Sequence, residues 1–86
     1  MNIHYTSDFI KSFKRLPKEI QTMATRQEAI FKQNPQDPRL HSKSLKGDLK
    51  GLSSFRITRN YRLLYVWKDK RNVVFYEIGD RKWIYG

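Results

Sequence analysis

The chain has 86 residues, and eighteen Lys and Arg against eight Asp and Glu give it a formal net charge of +10 at pH 7. A chain of this length builds one core, so we expect a single domain over residues 1–86. The absence of cysteine excludes disulfides, a thiolate nucleophile and a metal site with Cys ligands. Residues 1–10 do not read as a signal peptide, and no segment approaches the ~20 apolar residues of a membrane span, which predicts a cytoplasmic protein without membrane contact.

The positive charge is concentrated in the second half of the chain. Residues 1–38 contain six basic and four acidic side chains, whereas residues 39–86 contain twelve and four. A positive field raises the local concentration of a polyanion, so a nucleic acid or an acidic protein is the expected partner. The composition is also compatible with a basic surface that is exposed to solvent and has no specific partner.

The first elements predicted along the chain are a strand and a helix. Ile3 and Tyr5 alternate with polar neighbours, as in a short strand. Either Thr6 or Ser7 then supplies the hydroxyl that caps a helix. The apolar residues of this helix recur at helical spacing, and they are Phe9, Ile10, Phe13 and Leu16.

A second helix is predicted to begin at Pro17, which is tolerated at the first helical position. It should end near Asn34, because Pro35 disfavours helical geometry in the residue that precedes it. A stripe along this helix has the spacing of a core-facing surface with one polar interruption. The stripe consists of Ile20, Met23, Ala24, Gln27, Ile30 and Phe31.

The second half of the chain predicts a small sheet. Residues 35–52 contain two prolines and two glycines, which indicates a loop that leads into an edge hairpin. From residue 53 the apolar period becomes two, and three strands with short turns are predicted at 53–58, 60–67 and 72–79. The predicted fold is α+β with the order β-α-α-β-β-β. Two N-terminal helices pack on one face of a small antiparallel sheet, whose other face stays free.

Two arginines are predicted to lie side by side on the free face. Phe55 and Ile57 share one face of their strand, so Arg56 points to the other. A two-residue turn at positions 59–60 would place Arg62 of the next strand beside Arg56. Two adjacent guanidinium groups suit phosphate binding, but the spacing is equally compatible with two side chains that splay into solvent.

The last residues, EIGDRKWIYG, predict a turn at Gly79 and then a short closing strand. In an extended chain Arg81, Trp83 and Tyr85 project to one side over about 13 Å, and Ile84 anchors the other side. An arginine flanked by aromatic rings suits single-stranded nucleic acid. We assign Trp83 itself to packing.

Common enzymatic motifs are missing from the sequence. It contains no glycine-rich phosphate loop, no nucleophile elbow, no HExxH and no clustered carboxylates, so we expect neither a metal nor another cofactor. His4 and His41 are far apart in the sequence, and lone histidines of this kind are more often structural than catalytic.

The segment LKGDLKGLSSFRITRNYRLLYVWKDKRNVVFYEIGDRKWIY, residues 45–85, resembles RelE/ParE-superfamily toxins of type II toxin-antitoxin systems, closest to RelE-type mRNA interferases. The shared pattern is a Leu-Lys-Gly element, a strand with an aromatic-basic start, a Tyr-Arg-Leu strand, an apolar strand ending in glycine, and a closing arginine and tyrosine. The order of elements also agrees, so the resemblance covers nearly the whole chain.

The resemblance implies a ribosome-dependent mRNA endonuclease that cuts in the A site without a metal ion or other cofactor. A 2′-OH attacks the adjacent phosphate, and translation is inhibited. Matching positions imply that Arg56 and Arg62 hold the scissile phosphate, that Arg81 stabilises the leaving oxygen and that Tyr85 stacks on a base. The implied partners are a cognate antitoxin, the ribosome and mRNA. Further basic residues are predicted to bind RNA: Lys43, Lys46, Lys50, Arg59 and Lys82.

One position departs from the RelE-type pattern. Thr58 stands where a second lysine is found, which leaves the general base open among Arg59, Lys46 and Lys50. No histidine lies beside Gly79, which disfavours a mechanism of the histidine-using members. Two alternatives are a ParE-like inhibitor of DNA gyrase and a basic module that binds RNA without catalysis.

Overall fold

The computed structural model describes residues 1–85, which form a five-stranded sheet with helices packed on it. The elements in chain order are β1 (Asn2–Tyr5), α1 (Ser7–Arg15), α2 (Lys18–Gln33), β2 (Lys43–Ser44), β3 (Ser53–Arg56), β4 (Tyr61–Trp67), β5 (Asn72–Asp80) and α3 (Arg81–Ile84). Two single turns of 3₁₀ helix, Pro38–Leu40 and Gly47–Leu49, lie between α2 and β3. Over the described residues no helix has the length and apolar character needed to cross a bilayer.

The start of α1 is fixed by Thr6, one of the two predicted caps. Its hydroxyl oxygen accepts a hydrogen bond from the backbone N–H of Phe9 at 3.0 Å, and its hydroxyl donates to the carbonyl of Tyr76 in β5 at 2.8 Å. The first bond satisfies a helix N–H that has no partner inside the helix. The second bond holds the beginning of α1 against the edge of β5.

We expect the substitution Thr6→Ala to lower the free energy of unfolding by about 1–2 kcal/mol, because it removes the cap and the bond to β5 together. Urea denaturation followed by circular dichroism measures the change. The control is Thr6→Ser, which keeps the hydroxyl and should retain most of the stability. An equal loss in both variants would show that the methyl group of Thr6, and not its hydroxyl, is what matters.

The predicted second helix is confirmed, although it begins at Lys18, one residue after Pro17, and ends before Asn34. Ala24 and Phe31 are buried, whereas Met23 at the edge of the stripe is exposed. The polar interruption has a role in the fold. The side-chain amide of Gln27 donates to the carbonyl of Arg56 at 2.8 Å and so ties α2 to β3.

The strand order in the sheet is β1-β5-β4-β3-β2. The meander of β3, β4 and β5 is antiparallel as predicted, and β2 adds an antiparallel edge strand through the pair Lys43 and Ser54. The prediction of a wholly antiparallel sheet is wrong, because β1 pairs in parallel with β5, from Asn2 opposite Asn72 to Tyr5 opposite Phe75. Parallel neighbours need a long connection, which the intervening helices and strands provide.

The main core lies between the helices and one face of the sheet, and its centre is Phe31 of α2. This side chain is fully buried, and its ring centroid lies 5.2 Å from that of Phe55, 5.0 Å from Tyr65 and 5.6 Å from Phe75. Stacked and edge-to-face rings at these distances stabilise a core beyond the area they bury. Ile78 of β5 is buried in the same cluster.

The opposite face of the sheet is partly covered, which corrects the prediction of a free face. Ser54 and Leu64 lie opposite each other in β3 and β4, and both are buried although neither belongs to the main core cluster. The short helix α3 packs against β4 and β5. The C-terminal segment therefore folds back onto the face that carries Arg56 and Arg62.

Candidate functional site

Arg56 of β3 and Arg62 of β4 are direct partners in the register of the two antiparallel strands. Residues that lie opposite each other in such a pair project from the same face of the sheet. The predicted adjacency of these two arginines is confirmed. It also places both side chains on the face opposite the main core, because Phe55 and Leu63 occupy the other face.

Arg62 is held rigidly, with 9% of its surface exposed. Its Nη1 atom donates to the carbonyl oxygens of Thr58 at 2.7 Å, Arg59 at 2.7 Å and Tyr61 at 3.2 Å. These carbonyls belong to the turn between β3 and β4 and to the first residue of β4. The guanidinium therefore stabilises the turn and at the same time brings a fixed positive charge to this face.

The turn between β3 and β4 is longer than the predicted two residues. β3 ends at Arg56 and β4 begins at Tyr61, and the Thr58 hydroxyl oxygen lies within hydrogen-bond distance of the N–H groups of Asn60 and Tyr61. A threonine that bonds to the backbone two and three residues ahead is a common way to close a turn. Thr58 thus has a structural reason to stand where a lysine was expected.

The C-terminal segment is not an extended strand, which corrects the sequence prediction. β5 continues through Gly79, where a turn was predicted, and Asp80 then caps α3 by accepting from the N–H of Lys82 at 2.8 Å. The N–H of Arg81 donates to the carbonyl of Asn60 at 2.8 Å, which fixes the start of α3 beside the β3–β4 turn. The short-range capping by Asp80 overrides the alternating pattern of the last residues.

Because residues 81–84 are helical and not extended, the side chains that lie on one side of the segment differ from those predicted. Positions four apart on a helix lie on one face, so Arg81 and Tyr85 remain together, whereas Trp83 points elsewhere. Trp83 is 82% exposed, and its assignment to packing is wrong. The Tyr85 hydroxyl donates to the hydroxyl oxygen of the buried Ser54 at 3.2 Å, and Lys43 Nζ lies 5.8 Å from the centroid of the Tyr85 ring, within cation–π range.

The electrostatics of Arg62 show that these side chains influence one another. Burial lowers the pKa of Arg62 below its ordinary value, and the charge of Arg56 lowers it further. Tyr85 raises the pKa of Arg62, and the charge of Arg81 lowers it. Because such effects weaken with distance, Arg56, Arg81 and Tyr85 all lie near Arg62. We call Arg56, Arg62 and Arg81 the arginine cluster.

The arginine cluster has no carboxylate partner within residues 1–85. The ion pair found there joins Arg39 to Asp37 at 2.8 Å, at the 3₁₀ turn that follows α2. The Nε atom of Arg56 is buried and has no hydrogen-bond partner in the same range. A buried donor without an acceptor and like charges that face each other both cost stability, and a bound anion would relieve the repulsion between the charges.

Several solved structures have a similar fold. YafQ from E. coli strain BL21(DE3) superposes with a TM-score of 0.82 at 20% identity, over 99% of this chain and 98% of YafQ. A YoeB/ParE toxin from Agrobacterium tumefaciens gives 0.78 at 19% identity, over 94% and 99%. YafQ in the E. coli DinJ-YafQ toxin-antitoxin complex gives 0.79 at 19% identity, over 99% and 97%.

This chain has the YafQ fold. The predicted fold class is confirmed, and the architecture is similar to that of YafQ and of a YoeB/ParE toxin. No protein-family model matches the sequence, and no curated protein matches it. Since identity to the structural relatives is about one fifth, the likeness establishes the architecture, and the chemistry has to be argued from the site itself.

The basic residues predicted to bind RNA lie in β2, in two turns and in α3. Lys43 reaches Tyr85 from the edge strand β2. Lys46 and Lys50 flank the 3₁₀ turn between β2 and β3. Arg59 lies in the β3–β4 turn and Lys82 in α3, and all five side chains are exposed. The YafQ-like fold thus brings Lys43 into contact with the site, while the other four occupy exposed turns and a short helix.

Neither histidine belongs to the cluster. His4 lies in β1, where its Nε2 is 3.1 Å from Asn72 Oδ1, and His41 follows a 3₁₀ turn with a left-handed backbone at φ 48°. Within residues 1–85, no three His, Asp or Glu side chains are grouped closely enough to hold a metal ion. The chemistry available at this face is therefore that of guanidinium, ammonium, phenol and hydroxyl groups.

Two of the pockets among residues 1–85 have walls formed partly by α1. One, of about 270 Å³, lies between α1 and α2, is lined mainly by apolar side chains such as Phe9 and Phe13, and contains none of the predicted site residues. The other, of about 450 Å³, lies between the end of α1, the end of β5 and α3, and Trp83 forms part of its wall. This second pocket is polar as well as apolar, and it adjoins the elements that carry the arginine cluster.

Proposed function

We propose that this chain is a member of the RelE/ParE superfamily and the toxin of a type II toxin-antitoxin system, a cytoplasmic endoribonuclease that cuts mRNA in the ribosomal A site. The observation that carries the proposal is the convergence of Arg56, Arg62, Arg81 and Tyr85 on one face, with no carboxylate partner among residues 1–85. The YafQ-like fold supports it.

The reaction proposed for this face is a transfer within the RNA chain. The 2′-oxygen forms a bond to the adjacent phosphorus while the bond from phosphorus to the 5′-oxygen breaks, which leaves a 2′,3′-cyclic phosphate and a 5′-OH. The 2′-OH loses its proton and the departing 5′-oxygen gains one. Negative charge builds up on the phosphate oxygens and on the leaving oxygen, and preorganised cations lower the barrier by stabilising that charge.

The geometry supports a separate role for each residue. Three carbonyl oxygens already hold the Arg62 side chain in place, so little conformational entropy is lost when its guanidinium binds the phosphate. Arg56 lies directly opposite Arg62 in the strand register and adds a second guanidinium charge for the same phosphate. Arg81 is exposed at the start of α3 and can approach the leaving oxygen. Tyr85 offers its ring to a base beside the cluster.

The arginines serve this reaction as electrostatic groups. A guanidinium keeps its proton at physiological pH, so it is poorly suited to remove the proton of the 2′-OH. Burial is the main cause of the lowered pKa of Arg62, and the charges of Arg56 and Arg81 lower it further. Thr58 is used by the turn and supplies no base, and among the predicted substitutes Arg59, Lys46 and Lys50 only the lysines can readily change charge.

The test is a translation reaction with purified ribosomes programmed with a defined mRNA. Added protein should produce a cut within the codon in the A site, and primer extension maps the new 5′ end. The same mRNA without ribosomes is the control and should remain intact. Absence of a cut on programmed ribosomes would overturn the nuclease. A parallel assay of supercoiling by DNA gyrase separates a nuclease from a gyrase inhibitor.

The proposed partner is an antitoxin that carries an acidic or amphipathic segment. The charge distribution supports this, because twelve of the eighteen basic residues lie in residues 39–86. The DinJ-YafQ structure is that of a toxin-antitoxin complex. We expect the affinity for such a segment to fall as salt concentration rises, because counterions screen exposed charges over about 10 Å at 0.1 M. Titration calorimetry at several salt concentrations measures this, and an affinity independent of salt would contradict the charge argument.

A further inference from the structure

The one-turn helix α3 separates two surfaces. On one side lies the arginine cluster, and on the other lies the pocket of about 450 Å³ between the end of α1, the end of β5 and α3. We call it the α3 pocket. A pocket of this size is within the usual range for small-molecule sites, and it has room for a nucleobase. Its chemically informative lining residues are Ser12, Arg15, Tyr61, Glu77, Asp80 and Trp83.

Trp83 is the most exposed large hydrophobic side chain among residues 1–85, with 82% of its surface accessible. Its indole sits at the wall of the α3 pocket, where it makes no stacking contact with another ring of the described chain. A flat, exposed aromatic ring at the edge of a pocket offers a face on which a base can stack.

The α3 pocket and the arginine cluster flank the same end of β4 and β5. In the register of these strands Tyr61 lies opposite Asp80, and the next pair is Arg62 opposite Gly79. Adjacent pairs are about 3.3 Å apart along a strand but project to opposite faces, so Tyr61 and Asp80 point away from Arg62, whereas Gly79 lies beside Arg62 and also lines the pocket. Gly79 has no side chain, and a Cβ atom built there would have no neighbour within 4 Å, so the strand surface between the two sites is open. An RNA chain held at the cluster can therefore place a flanking nucleotide at the pocket.

Two carboxylates of the pocket have acceptor capacity left. Glu77 Oε1 accepts from the Ser12 hydroxyl at 2.6 Å, and Asp80 Oδ1 accepts from the N–H of Lys82 at 2.8 Å. The second oxygen of each carboxylate receives no hydrogen bond from residues 1–85. A carboxylate accepts from the amino group of a base. Adenine, cytosine and guanine carry such a group, whereas uracil has no amino group and its one donor on that edge, N3–H, is flanked by two carbonyl oxygens that a carboxylate repels.

We propose that the α3 pocket is a nucleobase subsite for single-stranded RNA, in which a base stacks on Trp83 and donates its amino group to Glu77, so that adenine, cytosine and guanine are preferred to uracil. Arg15, which is exposed at the pocket, contacts the phosphate of that nucleotide. The inference rests on the proposed function only in taking RNA as the substrate. It adds a specificity site outside the residues that perform the cut.

The test measures binding of 2′-O-methyl oligonucleotides of adenine, cytosine or uracil, because the methyl group prevents attack by the 2′-oxygen and separates binding from cutting. Fluorescence anisotropy at one fixed salt concentration gives the Kd for each. The wild-type protein should bind the adenine and cytosine oligonucleotides more tightly than the uracil one. Trp83→Ala should weaken adenine binding about 5- to 150-fold, and Trp83→Phe should keep most of the affinity. Glu77→Gln should reduce the preference over uracil.

The matched control is Tyr76→Ala, because Tyr76 is another exposed aromatic residue, 50% accessible, outside the α3 pocket. Its affinity should stay within about twofold of the wild type, and circular dichroism should report a folded protein for every variant. The subsite would be overturned if Trp83→Ala kept the wild-type affinity or lost no more affinity than Tyr76→Ala. It would also be overturned if the wild-type protein bound all three oligonucleotides equally or bound none of them measurably. If the wild-type protein binds in this way but does not cut mRNA on programmed ribosomes, the proposed subsite stands and the proposed nuclease activity is refuted.

Discussion

Replacing Arg81 with alanine is expected to slow mRNA cutting on programmed ribosomes about 100- to 1000-fold, the usual loss when one preorganised donor to a developing oxyanion is removed. The side chain of Arg81 is exposed, and the contact that Arg81 makes with Asn60 uses its backbone N–H. The variant should therefore remain folded. Single-turnover cutting measured by primer extension, together with circular dichroism, tests both parts of the expectation.

Lys70→Ala is the matched control for Arg81→Ala. It removes the same charge from an exposed position in the turn between β4 and β5, at the end of the sheet opposite α3. Cutting should stay close to the wild-type rate. Arg81→Lys keeps the charge without the planar fork of donors, so its rate should lie between those of the wild type and the alanine variant. Normal cutting by a folded Arg81→Ala variant would remove Arg81 from the site.

Arg81 is a cleaner probe of the chemistry than Arg62. Arg62 is buried and hydrogen-bonded to three carbonyls of the β3–β4 turn, so its removal leaves those acceptors unsatisfied and disturbs the turn. A loss of activity in an Arg62 variant would therefore combine misfolding with missing charge. The structure thus distinguishes Arg81, whose side chain is exposed, from Arg62, whose side chain also supports the fold.

Phe31→Ala is expected to lower the free energy of unfolding by about 3–5 kcal/mol, the usual cost of replacing a fully buried phenylalanine by alanine. The ring is fully buried and contacts three other core aromatic rings. A domain of this size is stable by only about 4–13 kcal/mol, so the variant should be marginally stable or unfolded. Urea denaturation at 25 °C measures the shift in midpoint.

Met23→Ala is the control for Phe31→Ala, since Met23 belongs to the same helix and to the same predicted stripe but is 41% exposed. Its loss of stability should be well below that of Phe31→Ala, because little apolar surface returns to water. Comparable losses in the two variants would mean that helix propensity, and not the aromatic core, dominates the contribution of α2.

Local patterns predicted the elements of the fold well. The cap at Thr6, the end of α2 before Pro35 and the three strands of the meander all follow from side-chain chemistry within a few residues. The direction of β1 was not predictable in this way, because alternation along one strand carries no information about which strand it pairs with or in which sense.

At the candidate site, too, local patterns predicted some features and not others. The period of two put Arg56 and Arg62 on one face, and the register confirms that they are neighbours. The last residues were misread because their alternation looks like a strand, whereas the Asp80 cap and the contact of Arg81 with Asn60 make them helical. That change left Arg81 and Tyr85 together and turned Trp83 outward, which no pattern of spacing had indicated.

By itself, the sequence determined the α+β class, the basic character of the second half and the pairing of Arg56 with Arg62, because these depend on composition and on contacts between strands joined by a short turn. Only the tertiary structure decided that β1 runs parallel to β5, that Arg62 is held by the carbonyls of a turn, and that Tyr85 docks on Ser54. These features depend on contacts between residues far apart in the chain, or on a turn conformation that spacing does not specify, and their energies come from burial and hydrogen bonding in the assembled fold.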